Sequence, residues 1–413
     1  MLLGHLLGRV IRSGTLKVID ARGRSHSFGE PDGRVIAIRL HDPALHYKLF
    51  FHPSLYLGEA FMDGTLTIEE GDLYGLLDLI LSNMERVESH PLQLHYQGLQ
   101  RLLRPLRTFN PKRRARRNAA HHYDLSGRLY DLFLDRDRQY SCAYFSSGNE
   151  SLDVAQENKK RHIASKLRLK PGLRILDIGS GWGGLALTLA RFSEGAKVTG
   201  ITLSDEQLKV SRERAAKAGL SNRVDFALRD YRDMRGQFDR IVSVGMFEHV
   251  GPNHYGEFFA KVKELLSDDG ICLLHSIGRM EPPGGTSPWL RKYIFPGGYT
   301  PALSEVLTAV EKVGLWVTDI EILRLHYAKT LREWRRRFLA HRDEALRLYD
   351  ERFCRMWEFY LTSCEVAFRY LRQMVVQMQL AKHVDTVPLT RDYMLDWERE
   401  HANAHGLSAA AQA

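Results

Sequence analysis

What this sequence lacks narrows its function before any motif does. Only four cysteines occur in 413 residues, Cys142, Cys272, Cys354 and Cys364, with no C-x-x-C pair and no zinc spacing. This argues against a disulfide framework or a zinc site, and for reduced thiols in a cytoplasmic protein; no metal is expected. No apolar run reaches the ~20 residues of a membrane-spanning helix. The first ten residues carry leucines at 2, 3, 6 and 7, but His5 and Arg9 interrupt them and no small-residue cleavage site follows. That spacing suits an amphipathic helix, packed on its own domain or lying on a bilayer, rather than a signal peptide. Acidic residues are missing between Arg101 and Arg117, where Arg104, Arg107, Lys112, Arg113, Arg114 and Arg116 also fall. Such a segment attracts a polyanion, either nucleic acid or an anionic membrane face. The plainer alternative is a solvated linker.

The length allows two domains, and 44% hydrophobic with 26% charged residues is the balance of a globular protein. Within the net charge of +9, the clustering matters more than the total. Residues 13–100 read as small α+β: strands at 15–19, 25–28 and 35–40, then helical patterns at 43–51, 55–61 and 73–87. No polar groups pair there as catalysis would require, so residues 1–104 are expected to be an accessory or docking domain. Two prolines and the arginine run make 105–120 a linker. From His121 onward βα units alternate, with strands at 174–178, 197–202, 224–228, 240–244 and 271–276, and later at 315–323 and 374–380. Helices read at 151–167, 185–192, 205–218, 255–266, 331–339 and 353–372. This alternation predicts an α/β fold with a parallel doubly wound sheet over 121–405, and a frayed tail at 406–413.

The stretch Ile175-Leu-Asp-Ile-Gly-Ser-Gly-Trp-Gly-Gly184 is a strand, a glycine turn and a helix start. Glycines let a ligand approach the backbone, and the helix N-terminus offers free N–H groups. The order differs from the dinucleotide fingerprint G-x-G-x-x-G and, with Asp177 before it, resembles motif I of S-adenosylmethionine-dependent methyltransferases. A helix-packing turn is the bland alternative. At the end of the second strand Thr202 stands where many nucleotide-binding folds have an acidic residue. Gln207 serves equally well as a cofactor contact or as the partner of Ser204 in a capping box. Glu248 and His275 follow the fourth strand and end the fifth, so they converge near the switch point, where a carboxylate and an imidazole manage a proton. His249 reads as an ordinary surface or hydrogen-bonded histidine. The segment Tyr140-Ser-Cys-Ala-Tyr-Phe145 puts aromatics around Cys142, whose thiol has no neighbour in sequence to activate it.

Six segments occur in order: His122-Tyr-Asp-Leu-Ser, Tyr140-Ser-Cys-Ala-Tyr-Phe145, Leu176-Asp-Ile-Gly-Ser-Gly-Trp-Gly-Gly184, Gly245-Met-Phe-Glu-His-Val-Gly251, Leu274-His-Ser-Ile-Gly278 and His326-Tyr-Ala-Lys-Thr-Leu331. Together they resemble the cyclopropane-fatty-acyl-phospholipid synthase family, over essentially the whole chain. The resemblance implies a class I methyltransferase-type doubly wound, mostly parallel seven-stranded sheet with a helical cap. A small N-terminal α+β lipid-carrier-like domain goes with it. It implies transfer of a methyl from S-adenosylmethionine to a cis double bond of a phospholipid acyl chain, and loss of a proton to a bound bicarbonate with ring closure. By motif position, Cys142 and Ile277 (through their backbones), Glu248, His275 and Tyr327 hold that anion. Tyr140, Ser141, Gly179, Gly181, Thr202, Leu203, Gln207 and Tyr231 line the cofactor. Ser180 stands where the family often has Cys, and Gly127-Arg128 where many members have Gly-Asn; only local cofactor-cap contacts are affected.

The chemistry suits the residue types. A carbocation survives only away from water and beside aromatic faces, for which Tyr140, Tyr144, Phe145, Phe247 and Tyr327 are candidates. The expected partner is unsaturated phospholipid, with the protein peripheral at the inner membrane surface; a homodimer is compatible with this. Alternative outcomes are a methyl-branched or oxygenated chain, an amine acceptor, or an inactive lipid-binding protein. A nucleic-acid methyltransferase ranks low, because no N/D-P-P-Y/F motif is present to position a base amine, so no nucleic-acid partner is expected.

Overall fold

The computed structural model of the protein describes residues 2–30, 33–84 and 127–402. The expected linker at 105–120, the His122 motif and the tail at 406–413 lie outside the described residues.

The N-terminal part begins with helix α1 (Leu2–Val10) and strands β1 (Thr15–Ile19), β2 (Ser25–Phe28) and β3 (Val35–Leu40). Helices α2 (Leu45–Phe51) and α3 (Pro53–Met62), strand β4 (Leu66–Glu70) and helix α4 (Leu73–Met84) complete it. The sheet order is β2-β1-β3-β4, with β1 and β3 parallel and both outer pairings antiparallel. The first three strands keep the bounds read from sequence. β4 is an addition: only Leu66 is buried in it and it ends on Glu69 and Glu70, so it carries little apolar signal between its flanking turns.

The larger unit starts with α5 (Gly127–Asp131), α6 (Leu152–Lys166), β5 (Arg174–Ile178), α7 (Gly184–Phe192), β6 (Lys197–Thr202), α8 (Asp205–Lys217) and β7 (Val224–Leu228). It continues through β8 (Phe238–Val244), α9 (Tyr255–Leu265), β9 (Leu266–Arg279), α10 (Pro288–Tyr293), α11 (Leu303–Val313) and β10 (Trp316–Ile322). It closes with α12 (His326–Ala340), α13 (Arg342–Leu348), α14 (Glu351–Tyr370), β11 (Gln373–Ala381) and α15 (Asp392–Glu400). Seven strands run in the order β10-β11-β9-β8-β5-β6-β7. β11 is antiparallel to both neighbours and the other pairings are parallel, so β11 alone is reversed. The expected mostly parallel seven-stranded sheet is present.

Helices cover both faces, which is why β5 is buried from Ile175 to Ile178 and reads as a continuous apolar run. Consecutive strands β5 and β6 lie on one side of a crevice and β8 on the other, which places the switch point at the end of β5. Among the described residues no helix is long and apolar enough to cross a membrane.

The two parts share a core. Met62, Leu73 and Leu77 from α3 and α4 pack in one cluster with Trp289, Trp334 and Trp357 of the larger unit. Trp289 Nε1 donates to Met62 Sδ at 3.2 Å, and Tyr370 OH donates to Asp78 at 2.7 Å. Gly58 sits at this seam: a Cβ there would meet Trp289 Nε1, Trp289 Cδ1 at 2.6 Å and Phe359 Cε1 at 2.8 Å. Gly58→Ala is therefore expected to cost about 1–3 kcal/mol by overpacking, read as a lower urea midpoint. Gly8→Ala, whose added Cβ meets nothing closer than Phe28 at 3.9 Å, is the control. Equal midpoints for the two variants would mean that the seam is loose.

Candidate active site

The glycine turn shapes the site first. Gly179 and Gly181 have φ of 84° and 53°, conformations that L side chains rarely adopt. The amides of Gly179 and Ser180 both donate to Ile201 O at 2.9 Å, which ties the turn to the end of β6. Trp182 Nε1 donates to Glu206 at 2.9 Å, and its ring lies 5.0 Å from that of Tyr130. Gly183, at φ 85°, then opens α7, whose first turn faces the crevice.

One pocket lies over the ends of β5, β6 and β8. Tyr140, Ser141, Gly179, Gly181, Thr202, Leu203, Gln207 and Tyr231 all line it, so the structure gathers the eight residues assigned to the cofactor. Asp177, Arg138, Asp230 and His249 line it as well. Asp177 is 1% exposed, its Oδ2 has no hydrogen-bond partner, and burial pushes its carboxyl up to about 7.

Two local readings are corrected. Ser204 does cap α8, accepting from the Gln207 amide at 3.3 Å, but the Gln207 side chain does not return the bond. Thr202 Oγ1 instead takes the Ser204 amide and donates to Gln207 Oε1 at 2.7 Å, leaving the glutamine side chain on the pocket wall. His249 is no surface histidine: it lines the pocket, and burial holds it neutral by lowering its pKa to about 4. Its place, one residue past Glu248 on the turn after β8, was the signal that could have revealed it.

The five residues assigned to the anion fall into two groups. Glu248 Oε1 accepts from the Ile277 amide at 2.6 Å, and its Oε2 is buried without a hydrogen-bond partner. Burial raises the Glu248 carboxyl to about 7. His275 shares a face of β9 with Ile277, is 2% exposed, and is held neutral by burial, with the Lys159 charge acting in the same direction. Gln377 of β11 donates through Nε2 to His275 Nδ1 at 3.2 Å, which leaves the ring proton on Nε2. Sequence reasoning missed Gln377, because only the pairing of β11 with β9 sets it opposite His275.

Cys142 and Tyr327 belong to a second, aromatic group with Tyr140. The Cys142 thiol is buried and pushed further up, which rules out a thiolate nucleophile. The strap at 140–145 is held by α12: the Ala143 amide donates to Thr330 Oγ1 and the Phe145 amide to His326 Nδ1, each at 3.0 Å. Tyr140 packs 5.1 Å from Trp334, and its hydroxyl lies 2.8 Å from that of Tyr360. Tyr327 meets Phe368 at 4.8 Å and Trp334 at 5.8 Å.

The expected aromatic wall is thus partly redrawn. Tyr144 is stacked between His162 and His326, at 4.1 and 4.8 Å, and Phe247 packs under Tyr255, Phe258 and Phe259 in a different cluster. Tyr144 still packs at the edge of the cluster that holds Tyr140, Phe145 and Tyr327; Phe247 does not, and Trp334, Tyr360 and Phe368 join the cluster from helices far along the chain. Among the described residues, no group of His, Cys, Asp and Glu could hold a metal ion.

A family model described as mycolic acid cyclopropane synthetase matches residues 110–378. The chain belongs to this family. The cyclopropane-fatty-acyl-phospholipid synthase of Escherichia coli K12 is 40% identical over 334 residues, covering 80% of this chain and 84% of that protein. Tuberculostearic acid methyltransferase UfaA1 of Mycobacterium tuberculosis is 36% identical over 386 residues, 88% of this chain and 87% of that protein. The solved structure of mycolic acid cyclopropane synthase CmaA1, complexed with S-adenosylhomocysteine and CTAB, superposes with a TM-score of 0.61 at 33% identity, over 66% of this chain and 99% of that one. The protein is accordingly an S-adenosylmethionine-dependent methyltransferase of the cyclopropane synthase type. The pocket fits that cofactor: a glycine turn at which a Cβ on Gly179 would run into Met246, and a buried, unpartnered carboxylate oxygen, Oδ2 of Asp177.

Proposed function

We propose that the protein is a cyclopropane-fatty-acyl-phospholipid synthase that adds a methylene across a cis double bond of phospholipid acyl chains, with bicarbonate as the base. The observation that carries this reading is Glu248, whose Oε2 is buried and unpartnered and whose Oε1 takes the amide of Ile277, two residues past buried His275 on β9, with Ile277 packed against the aromatic cluster of Tyr140 and Tyr327. An alkene acceptor requires no residue to deprotonate it, but the cation it becomes needs a base and shelter from water. When bound, S-adenosylmethionine supplies an electrophilic methyl and bicarbonate supplies a small base.

The chain's own residues do the rest. Tyr140, Tyr327, Trp334 and Phe368 exclude water and present π faces to positive charge. His275 offers an Nε2–H donor to an anion. Burial keeps Glu248 largely protonated below pH 7, so it too donates rather than repels. That removes the like-charge conflict between a carboxylate and bicarbonate. The Ile277 amide is already given to Glu248, so Ile277 orients the acid rather than holding the anion directly.

Phospholipid is reached at the inner membrane surface, and the arginine-rich run up to Arg117 supports attraction to anionic lipid. The test is turnover of labelled S-adenosylmethionine on vesicles of cis-unsaturated phospholipid. The recovered chains should be one CH2 heavier and carry a ring. Chains with no added carbon would refute the proposal. A methyl branch, two hydrogens heavier than the ring, would favour the second reading, which the 36% identity to a tuberculostearic acid methyltransferase supports.

A further inference from the structure

Lys159 is a buried cation whose only part in the chemistry described so far is to add to the burial that keeps His275 neutral. It projects from α6, is fully buried, and donates to Gln139 Oε1 at 2.5 Å and to Ser141 Oγ at 2.8 Å. Both partners are neutral. Among the described residues no carboxylate stands within ion-pairing distance of its Nζ, and Asp135, Asp137 and Asp177 act on it only at longer range. Lys160, the next residue, shows the ordinary arrangement, with Asp137 and Glu157 each at 2.6 Å. A buried ammonium without a counter-ion is expensive, and here burial pulls the lysine down to about 8. It is retained against the back of the cofactor pocket, since both Gln139 and Ser141 line that pocket.

The geometry of donors explains what it does there. An ammonium only donates, so Ser141 Oγ accepts from Lys159 and must send its own proton elsewhere. Gln156 Nε2 donates to Ser141 O at 2.9 Å, which fixes the backbone of this residue. The pocket also holds Asp177, a carboxylate with a free buried oxygen. A donor hydroxyl backed by a cation, and a carboxylate in the same pocket, complement the two charges of an α-amino acid.

We propose that Lys159 is a positioning residue for the amino-acid end of S-adenosylmethionine: through Ser141 it turns a hydroxyl donor toward the cofactor's carboxylate and supplies that carboxylate with its counter-charge from behind the wall. Asp177 takes the ammonium. This rests on the cofactor alone and not on the ring-forming reaction.

Binding measured by titration calorimetry without lipid therefore tests it separately. S-adenosylhomocysteine carries the amino-acid end, and 5′-methylthioadenosine lacks it. Lys159→Met is expected to weaken the first by roughly 10- to 100-fold, the range for a hydrogen bond to a charged group, and leave the second within about twofold. Ser141→Ala should show the same selectivity, and the double variant should be no weaker than Lys159→Met alone. Equal weakening of both ligands would make Lys159 a merely structural clamp and overturn the proposal, as would no weakening at all. If Lys159→Met does not fold, Ser141→Ala decides: S-adenosylhomocysteine bound as tightly as by the wild type overturns the proposal.

Discussion

Glu248→Ala is expected to lower kcat by about 10²- to 10³-fold, the usual worth of a group that manages a proton, while S-adenosylhomocysteine binding stays near the wild-type value. Glu248 is absent from the wall of the cofactor pocket and bonded to the Ile277 amide, so its loss strikes the reacting centre and spares the cofactor. The pH dependence gives a sharper view. Burial lifts the carboxyl to about 7, so it is neutral below that pH and charged above it. If the neutral acid receives bicarbonate, the apparent KM for the bicarbonate ion rises as pH passes upward through about 7. Glu248→Gln keeps a neutral donor at this position and should flatten that rise. Steady-state rates in bicarbonate-depleted buffers check both statements. A Gln variant with the wild-type pH profile would show that Glu248 is not the titrating group. His275→Ala belongs to the same test: the Gln377 amide that holds its ring would lose its acceptor, and turnover should fall without loss of cofactor binding.

Gly179→Val is expected to remove cofactor binding, by about 10²-fold or more. Its φ of 84° is an outlier for a β-branched residue, and its Cβ would stand 2.9 Å from Met246 Cβ. Relief requires the turn to move, and each buried donor or acceptor of the site left unpaired by that movement costs about 1–3 kcal/mol, roughly ten- to a hundredfold in affinity. Gly219→Ala supplies the control: it also sits at positive φ, 66°, but an added Cβ there meets nothing within 4 Å. It should lose some stability from strain and keep its affinity. Calorimetric titration with S-adenosylhomocysteine separates the two. Near-normal binding by Gly179→Val would mean that the turn tolerates rearrangement and is not the cradle described above.

Much of the architecture was legible because its causes are local. The bounds of β5, β6 and β7 match those read from the chain: β5 is covered on both faces and appears as an apolar run, while β6 and the edge strand β7 are short β-branched or alternating stretches between turn residues. The order of these strands and helices sufficed for a doubly wound sheet, and the glycine turn with Asp177 for a methyl-donor site. Less was visible where burial is one-sided or the run is short. β4, α10, α11, α13 and α15 went unread, although α11 carries a clear stop at Gly314, φ 71°. The seam at Gly58 was hidden as well, because a glycine's fit against Trp289 and Phe359 leaves no trace in its neighbours along the chain.

The amino-acid sequence alone determined the family, the cofactor class and the residues that line one pocket over the strand ends, since ordered motifs and strand ends place those residues whatever the rest of the fold does. Tertiary structure decided how they work. It put Gln377 against His275, set Glu248 on the Ile277 amide with one oxygen free, freed Gln207 from its cap, and drew Trp334, Tyr360 and Phe368 around Tyr140 and Tyr327. It also left Lys159 without a counter-ion behind Ser141. These are contacts between distant segments, and the energies that tune them, desolvation above all, depend on what surrounds a group in space and not on what precedes it in the chain.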